Sequence, residues 1–128
     1  MARFLTYARI FTFSVAVSAI AQAALAGDVA KGKMVFAQNC SICHSVAKDG
    51  AGMLGPTLFD VVGRQAASVK GYDYSSAMKG VNYAWTPAHL KTYLESPRSA
   101  VAGNKMTFNG VVDPAKRDDL IAYLSTLK

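Results

Sequence analysis

The only two cysteines of the chain stand in Cys40-Ser41-Ile42-Cys43-His44. C-x-x-C-H is the attachment pattern for c-type haem. Such a site asks three side chains to act on one flat cofactor. Two thiols bond to its vinyl groups and an imidazole binds its iron. Residues at i and i+3 lie on one side of a helical turn, so both sulfurs can reach the same edge. His44 follows at once and can swing beneath the ring. Bound through Nε2, it would need an acceptor for Nδ1–H to fix the ring and raise its basicity. The Gly55-Pro56 turn offers a carbonyl, although Gly-Pro is also a common loop pair with no further role.

A sixth ligand would complete the coordination. His89 lies beside Lys91 on the predicted outer face of its helix and reads as a solvated histidine. A methionine thioether is the softer choice and raises the potential by favouring Fe(II). Met34, Met53, Met78 and Met106 are available beyond the leader. Met106 has the slight advantage of a glycine-bracketed loop, Gly103 to Gly110, which frees its side chain from helix geometry. The ordinary fate of any methionine is to fill core. Haem propionates would need donors in an apolar setting. Arg64, Tyr72, Tyr74 and the Trp85 indole N–H suit that task, and the three aromatics read equally well as core.

Other uses of the two thiols fit less well. A zinc site needs more ligands than two cysteines, His44 and the distant His89 supply. A thioredoxin-like disulfide would sit near a strand–helix unit, and no such pattern occurs. Arg3 and Arg9 precede an apolar run from Ile10 to Ile20, and Ala24-Leu25-Ala26 fits a small-x-small cleavage site. Residues 1–26 are therefore expected to be a removable export signal, its run being too short to span a bilayer. Residues 27–128 are expected to form one small domain in the periplasm, without stable membrane insertion. Of 14 Lys and Arg, two fall in the leader, and all eight Asp and Glu remain, so the mature net charge is +4. There is no basic block or aromatic-interleaved stripe of the nucleic-acid-binding kind.

The elements that must hold these residues are helical. Asp28 can cap a first helix running toward Asn39. Gly32 and Phe36 lie one turn apart on it, and a mid-helix glycine hints at close approach by another backbone. A second clear helix starts at Thr86-Pro87, carries Leu90, Tyr93 and Leu94 inward and stops before Pro97. The last begins with Asp113 as cap and Pro114 at the first position. Its stripe is Leu120, Tyr123, Leu124 and Leu127. Asp49 to Tyr74 is glycine-rich and aperiodic. A loop of that length in a small domain is expected to wrap something. Strand signals are weak, and the expected class is all-α with long loops.

Taken together, these residues resemble class I cytochromes c of the soluble mitochondrial and short bacterial type. The resemblance spans the mature chain. It rests on Gly32 and Phe36, on Cys40, Cys43 and His44, and on Gly55-Pro56, Leu58, Gly63 and Arg64. Tyr72, Tyr74, Trp85, Tyr93-Leu94, Pro97, Lys105-Met106-Thr107-Phe108, Leu120 and Tyr123 complete it. It implies His44 and Met106 as axial ligands of one covalent haem c, with the Pro56 carbonyl accepting from His44. It implies Arg64, Tyr74 and Trp85 around the propionates, Tyr93 near the Met106 sulfur, and Gly32 and Phe36 crossing Leu120 and Tyr123.

The implied activity is one-electron transfer between redox partner proteins docking at the exposed haem edge, by a monomer that is not an enzyme. A peroxidase-like haem enzyme would need Met106 labile, and a disulfide domain would need no haem. Some positions depart from the pattern. Met78 stands where an Asn often bonds a propionate and an internal water, and should make that corner drier. Asn104 replaces a usual Thr and keeps a donor. Asp60 replaces a common Gly. Around the haem edge, Met34, Asn39, Ala51, Met53, Ser99, Val112 and Asp113 stand where the mitochondrial type carries lysines, while Arg98 and Lys105 remain basic. The expected dock is more apolar and less sensitive to salt.

Overall fold

The computed structural model describes residues 27–50 and 54–128. The expected leader and residues 51–53, which include the expected front-face positions Ala51 and Met53, lie outside the described residues. Five helices follow in order: α1 (Val29–Asn39), α2 (Ser76–Lys79), α3 (Pro87–Glu95), α4 (Pro97–Ala100) and α5 (Pro114–Ser125). No strand is present among the described residues. The one ladder-like pairing is an isolated antiparallel bridge between Gln65 and Ala84.

Each principal helix starts at a cap that its sequence supplies. The Asp28 carboxylate accepts from Lys31 N–H. The Thr86 hydroxyl accepts from His89 N–H with Pro87 at the first position. Asp113 accepts from the N–H groups of Ala115 and Lys116, ahead of Pro114. These caps satisfy amide donors that a helix start leaves orphaned. Of the two short helices, α2 falls where a short helical segment around Met78 is expected, and only α4 is unexpected. Pro97 does end the run of α3, yet it also opens α4, because its ring is tolerated at a first helical position. Ser75 caps the single turn of α2 through Met78 N–H.

α1 and α5 cross at Gly32. A Cβ on Gly32 would overlap the Asp119 carbonyl and come within 2.8 Å of Tyr123 Cβ. Only glycine lets the helices approach this far. Phe36 then packs on Tyr123, with ring centroids 5.5 Å apart, and Leu120 is wholly buried. Burying a side chain of that size stabilises by roughly 2 kcal/mol. Asp119, mid-helix in α5, accepts from the Asp28 backbone N–H at 2.6 Å and pins the start of α1. α3 packs against α5. Arg117 lies buried beneath that contact. Its Nη1 donates to the carbonyls of Val111 (2.6 Å) and Val112 (3.1 Å), and Nη2 lies 3.7 Å from the Glu95 carboxylate. The guanidinium thereby anchors the end of the 101–112 loop to the helical frame.

Candidate haem pocket

The Cys-Cys-His turn is built directly onto α1. Cys40 caps the helix, its N–H bonding to the Phe36 carbonyl. The N–H groups of Cys43 and His44 both donate to the Cys40 carbonyl, at 3.0 and 2.9 Å. The α1–α5 crossing therefore sets the position of both thiols. Both are free; Cys40 is buried and Cys43 half-buried. Burial, with Cys43 adding a smaller effect, pushes the Cys40 thiol up to about 11.

His44 Nδ1 lies 2.7 Å from the Pro56 carbonyl, the partner expected for it. Gly55 N–H bonds to the Cys43 carbonyl and Leu58 N–H to the Ser45 carbonyl, both at 2.8 Å. These bonds fold the 54–58 segment back against the motif. A Cβ on Gly55 would overlap the imidazole at Cε1 and come within 2.6 Å of Nδ1, so this wall must be bare backbone. With Nδ1 donating to Pro56, Nε2 carries the lone pair. Burial lowers the His44 pKa, opposed more weakly by the Pro56 bond, so the ring is held neutral and available to a metal.

His44 and Met106 line one cavity of about 860 Å³, part of it open to solvent. Its other walls include Cys40, Leu58, Val61, Met78, Leu94 and Leu120. The Met106 side is also held by hydrogen bonds. Asn104 donates through Nδ2 to the carbonyls of Pro97 (2.7 Å) and Val101 (2.8 Å), and its Oδ1 accepts from Met106 N–H at 2.8 Å. Lys105 Nζ bonds both the carboxylate and the carbonyl of Asp73, each at 2.7 Å. Tyr93 O–H donates to the Met106 sulfur at 3.4 Å. Burial pushes that phenol up to about 12, so it remains a donor at any ordinary pH.

Arg64, Tyr72, Tyr74, Trp85 and Tyr93 all line the same cavity. Arg64 is placed by its own loop: Nη2 donates to the Thr57 carbonyl at 2.8 Å and Nη1 to that of Phe59. Trp85 is fixed by reciprocal backbone bonds, its N–H to the Arg64 carbonyl and its carbonyl to Gly63 N–H, each 2.9 Å. Tyr74 Oη accepts from Val69 N–H at 3.3 Å, and Tyr72 donates to the Leu54 carbonyl at 2.9 Å. Met78 is buried in the wall, a thioether where a polar amide is usual. Met34 lies on the outer face of α1, 57% exposed and away from the cavity. His89 lies outside as expected, although its Nδ1 sits 2.8 Å from the Ala84 carbonyl. Asp60 adopts a left-handed backbone (φ 54°) and pairs with Lys128 at 2.7 Å.

Two thiols on one turn, an oriented neutral imidazole, a thioether on the same cavity and an apolar lining with basic and phenolic groups fit a covalently attached haem. Among the described residues no cluster of three or more His, Cys, Asp or Glu offers a rival metal site. Fold and pocket together define a small all-α haem protein of the electron-carrying class. A sequence profile described as Cytochrome c matches residues 29–128. Cytochrome c2 of Rhodomicrobium vannielii is 45% identical over 106 residues, covering 83% of this chain and 84% of the relative. The c-type cytochrome cyt cy of Rhodobacter capsulatus is 44% identical over 105 residues, and there the chain spans about half, 52%, of the relative's length. The structure of cytochrome cH from Methylobacterium extorquens superposes with a TM-score of 0.71 at 46% identity, covering 78% of this chain and 99% of that one. The chain belongs to the cytochrome c family, whose members carry covalent haem c and transfer electrons rather than catalyse reactions.

Proposed function

We propose that the chain is a periplasmic one-electron carrier, exported on residues 1–26, whose haem is bonded to Cys40 and Cys43 and ligated by His44 and Met106. When bound, haem supplies a one-electron Fe(III)/Fe(II) couple. The residues tune and hold that couple. Pro56 fixes the imidazole, while Tyr93 orients the Met106 sulfur and draws electron density from it. The apolar lining disfavours the extra positive charge of the oxidised state, which raises the potential. Arg64, Tyr74 and Trp85 would hold the propionates. With His44 and Met106 each fixed by its own hydrogen bond, the ligands would move little between the two oxidation states.

One observation carries this reading: a neutral imidazole and a thioether, each fixed by its own hydrogen bond, face a single cavity. Partners would dock at the cavity mouth, lined by Asn39, Ile42, Leu54, Thr107 and Phe108 with Lys105 as its lone lysine. Ile42 (81% exposed), Leu54 (80%) and Val112 (76%) add apolar surface. Such a dock gains little from long-range steering, so the electron-transfer rate should fall only weakly with added salt.

The test is a pair of visible and near-infrared spectra of the exported protein. A c-type α band on reduction and a weak sulfur-to-iron band on oxidation are expected. Met106→Ala should abolish the second and keep the first; persistence of the near-infrared band would reassign the sixth ligand.

A further inference from the structure

The two axial positions are tied to the frame very differently. His44 follows Cys43 directly, and its N–H is bonded to the Cys40 carbonyl at the end of α1. Met106 lies on a loop that turns through positive φ at Gly103 (89°) and Gly110 (104°). The far end of that loop is fastened by Val111 N–H, which donates to the Leu94 carbonyl at 2.7 Å, and by Arg117 beneath it. Between Lys105 and Gly110 the main chain makes one hydrogen bond among the described residues, from Met106 N–H to Asn104 Oδ1. The Lys105–Asp73 pair adds a tie through exposed side chains, which water and salt weaken.

Asn104 makes its bond from a fixed seat. Its Nδ2 places both protons on the carbonyls of Pro97 and Val101, the first residue of α4 and its C-cap. Pro97 and Val101 are both buried. The Asn104 N–H adds a bond to the same Val101 carbonyl at 3.1 Å. Two carbonyls on one side and an N–H on the other fix which end of the amide is oxygen. The carboxamide matches this seat because it offers two donors and an acceptor from one short, planar group. Aspartate would accept from Met106 N–H but turn an oxygen toward two carbonyls. Threonine has a single donor for those two carbonyls. Leucine has the shape and none of the bonds.

We infer that Asn104 is the positioning residue that keeps Met106 in the sixth position, by fastening its backbone to α4, and so closes that position to small ligands. The inference rests on the haem reading above. Tyr93 orients the sulfur through the side chain. Asn104 acts instead on the main chain, which must swing out before the sulfur can leave. A hydrogen bond made in the closed loop and lost on opening slows that opening by roughly tenfold. The two ends of α4 supply the anchor, which gives this short helix a role beyond connecting α3 to the loop.

Imidazole would be mixed with the oxidised holoprotein and the loss of the sulfur-to-iron band followed in time. As imidazole is raised, the observed rate levels off at the rate of Met106 release. Asn104→Leu should raise that limit by roughly tenfold to a hundredfold, as the bonds of the amide are lost. Asn104→Thr should fall between it and the parent. Hydrogen exchange at Met106 N–H should quicken in the same order. Ile121→Ala, at a buried site in α5 outside the cavity lining, should lower global stability and leave the limit unchanged. Should Asn104→Leu fail to retain haem, Asn104→Thr carries the test alone. A limit equal to the parent's in the folded variants would overturn the proposal. So would a limit that Ile121→Ala raises as much as an Asn104 variant does, since release would then follow global opening. The parent's starting spectrum separates the two readings. A missing sulfur-to-iron band overturns the ligand assignment and the inference with it, whereas a normal band with an unchanged limit overturns the role of Asn104 alone.

Discussion

The α1–α5 crossing and the loop wall of the cavity both bury apolar surface, but against different partners. At the crossing, protein meets protein: Gly32 admits the α5 backbone and Phe36 meets Tyr123, while Leu120, wholly buried, turns one side to the cavity. In the wall, Leu58, Val61 and Met78 line a cavity, and the loops around it are held by backbone bonds and by Arg64, Asn104 and Lys105. The crossing is complete without help. The wall is a shape that needs its occupant, and this is why a domain of about 100 residues can carry so much irregular chain.

The comparison can be broken most severely by denying the wall its occupant. Cys40→Ala with Cys43→Ala removes both attachment points, and cooperative thermal unfolding should be lost while some helical circular dichroism survives. Hydrogen exchange should then show loop amides unprotected and the α1 and α5 amides slowest. Next comes the crossing itself. Leu120→Ala should cost about 3–5 kcal/mol in denaturant unfolding, since a fully enclosed site collapses poorly, while leaving the sulfur-to-iron band in place. Gly55→Ala should do the reverse. Its overlap with the imidazole costs roughly 1–3 kcal/mol, and the visible spectrum and potential should shift with it.

Smaller effects sharpen the same division. Tyr93→Phe removes the donor to the Met106 sulfur and should lower the midpoint potential, on the order of 20–40 mV for a weak hydrogen bond in a one-electron couple. Unfolding should change little. The smallest effect lies at the exposed Asp60–Lys128 pair. Its hydrogen bond and charge hold the Asp60 carboxyl below its ordinary 3.8. A group so depressed contributes stability above its unfolded pKa and loses it as pH falls through the folded value. Lys128→Ala should therefore lower stability slightly at neutral pH, and the difference from the parent should vanish as pH drops below 3.8.

Much of this division was readable from residue types. Caps and prolines at Asp28, Thr86-Pro87 and Asp113-Pro114 mark α1, α3 and α5 because the orphaned amides of a helix start need those residues. Gly32 was readable as a close approach because nothing in the helix itself calls for glycine. The haem motif was plain, since few chemistries put two cysteines and a histidine in five residues. What escaped was long-range and polar. Asp119 is too far into α5 to cap its own helix, and its hydrogen bond to Asp28 spans 91 residues of sequence. Nothing in the sequence singled out Arg117, because it is buried on carbonyls that only the folded 111–112 segment presents. α4 escaped because proline ends one helix and begins another with the same ring. The choice of Met106 over Met34, Met53 and Met78 came from resemblance, not from spacing, because every thioether looks alike until a loop aims it.

The hydrogen bond between Asp28 and Asp119 also bears on timing. A chain is made from its N-terminus, so α1 and the cysteine motif exist long before α5. Until the last turns of α5 are complete, α1 has nothing to cross, and Cys40 at its end has no core to be buried in. A contact that spans 91 residues can close only after nearly the whole domain has been made, and it works as a latch that fixes α1, and Cys40 at its end, late.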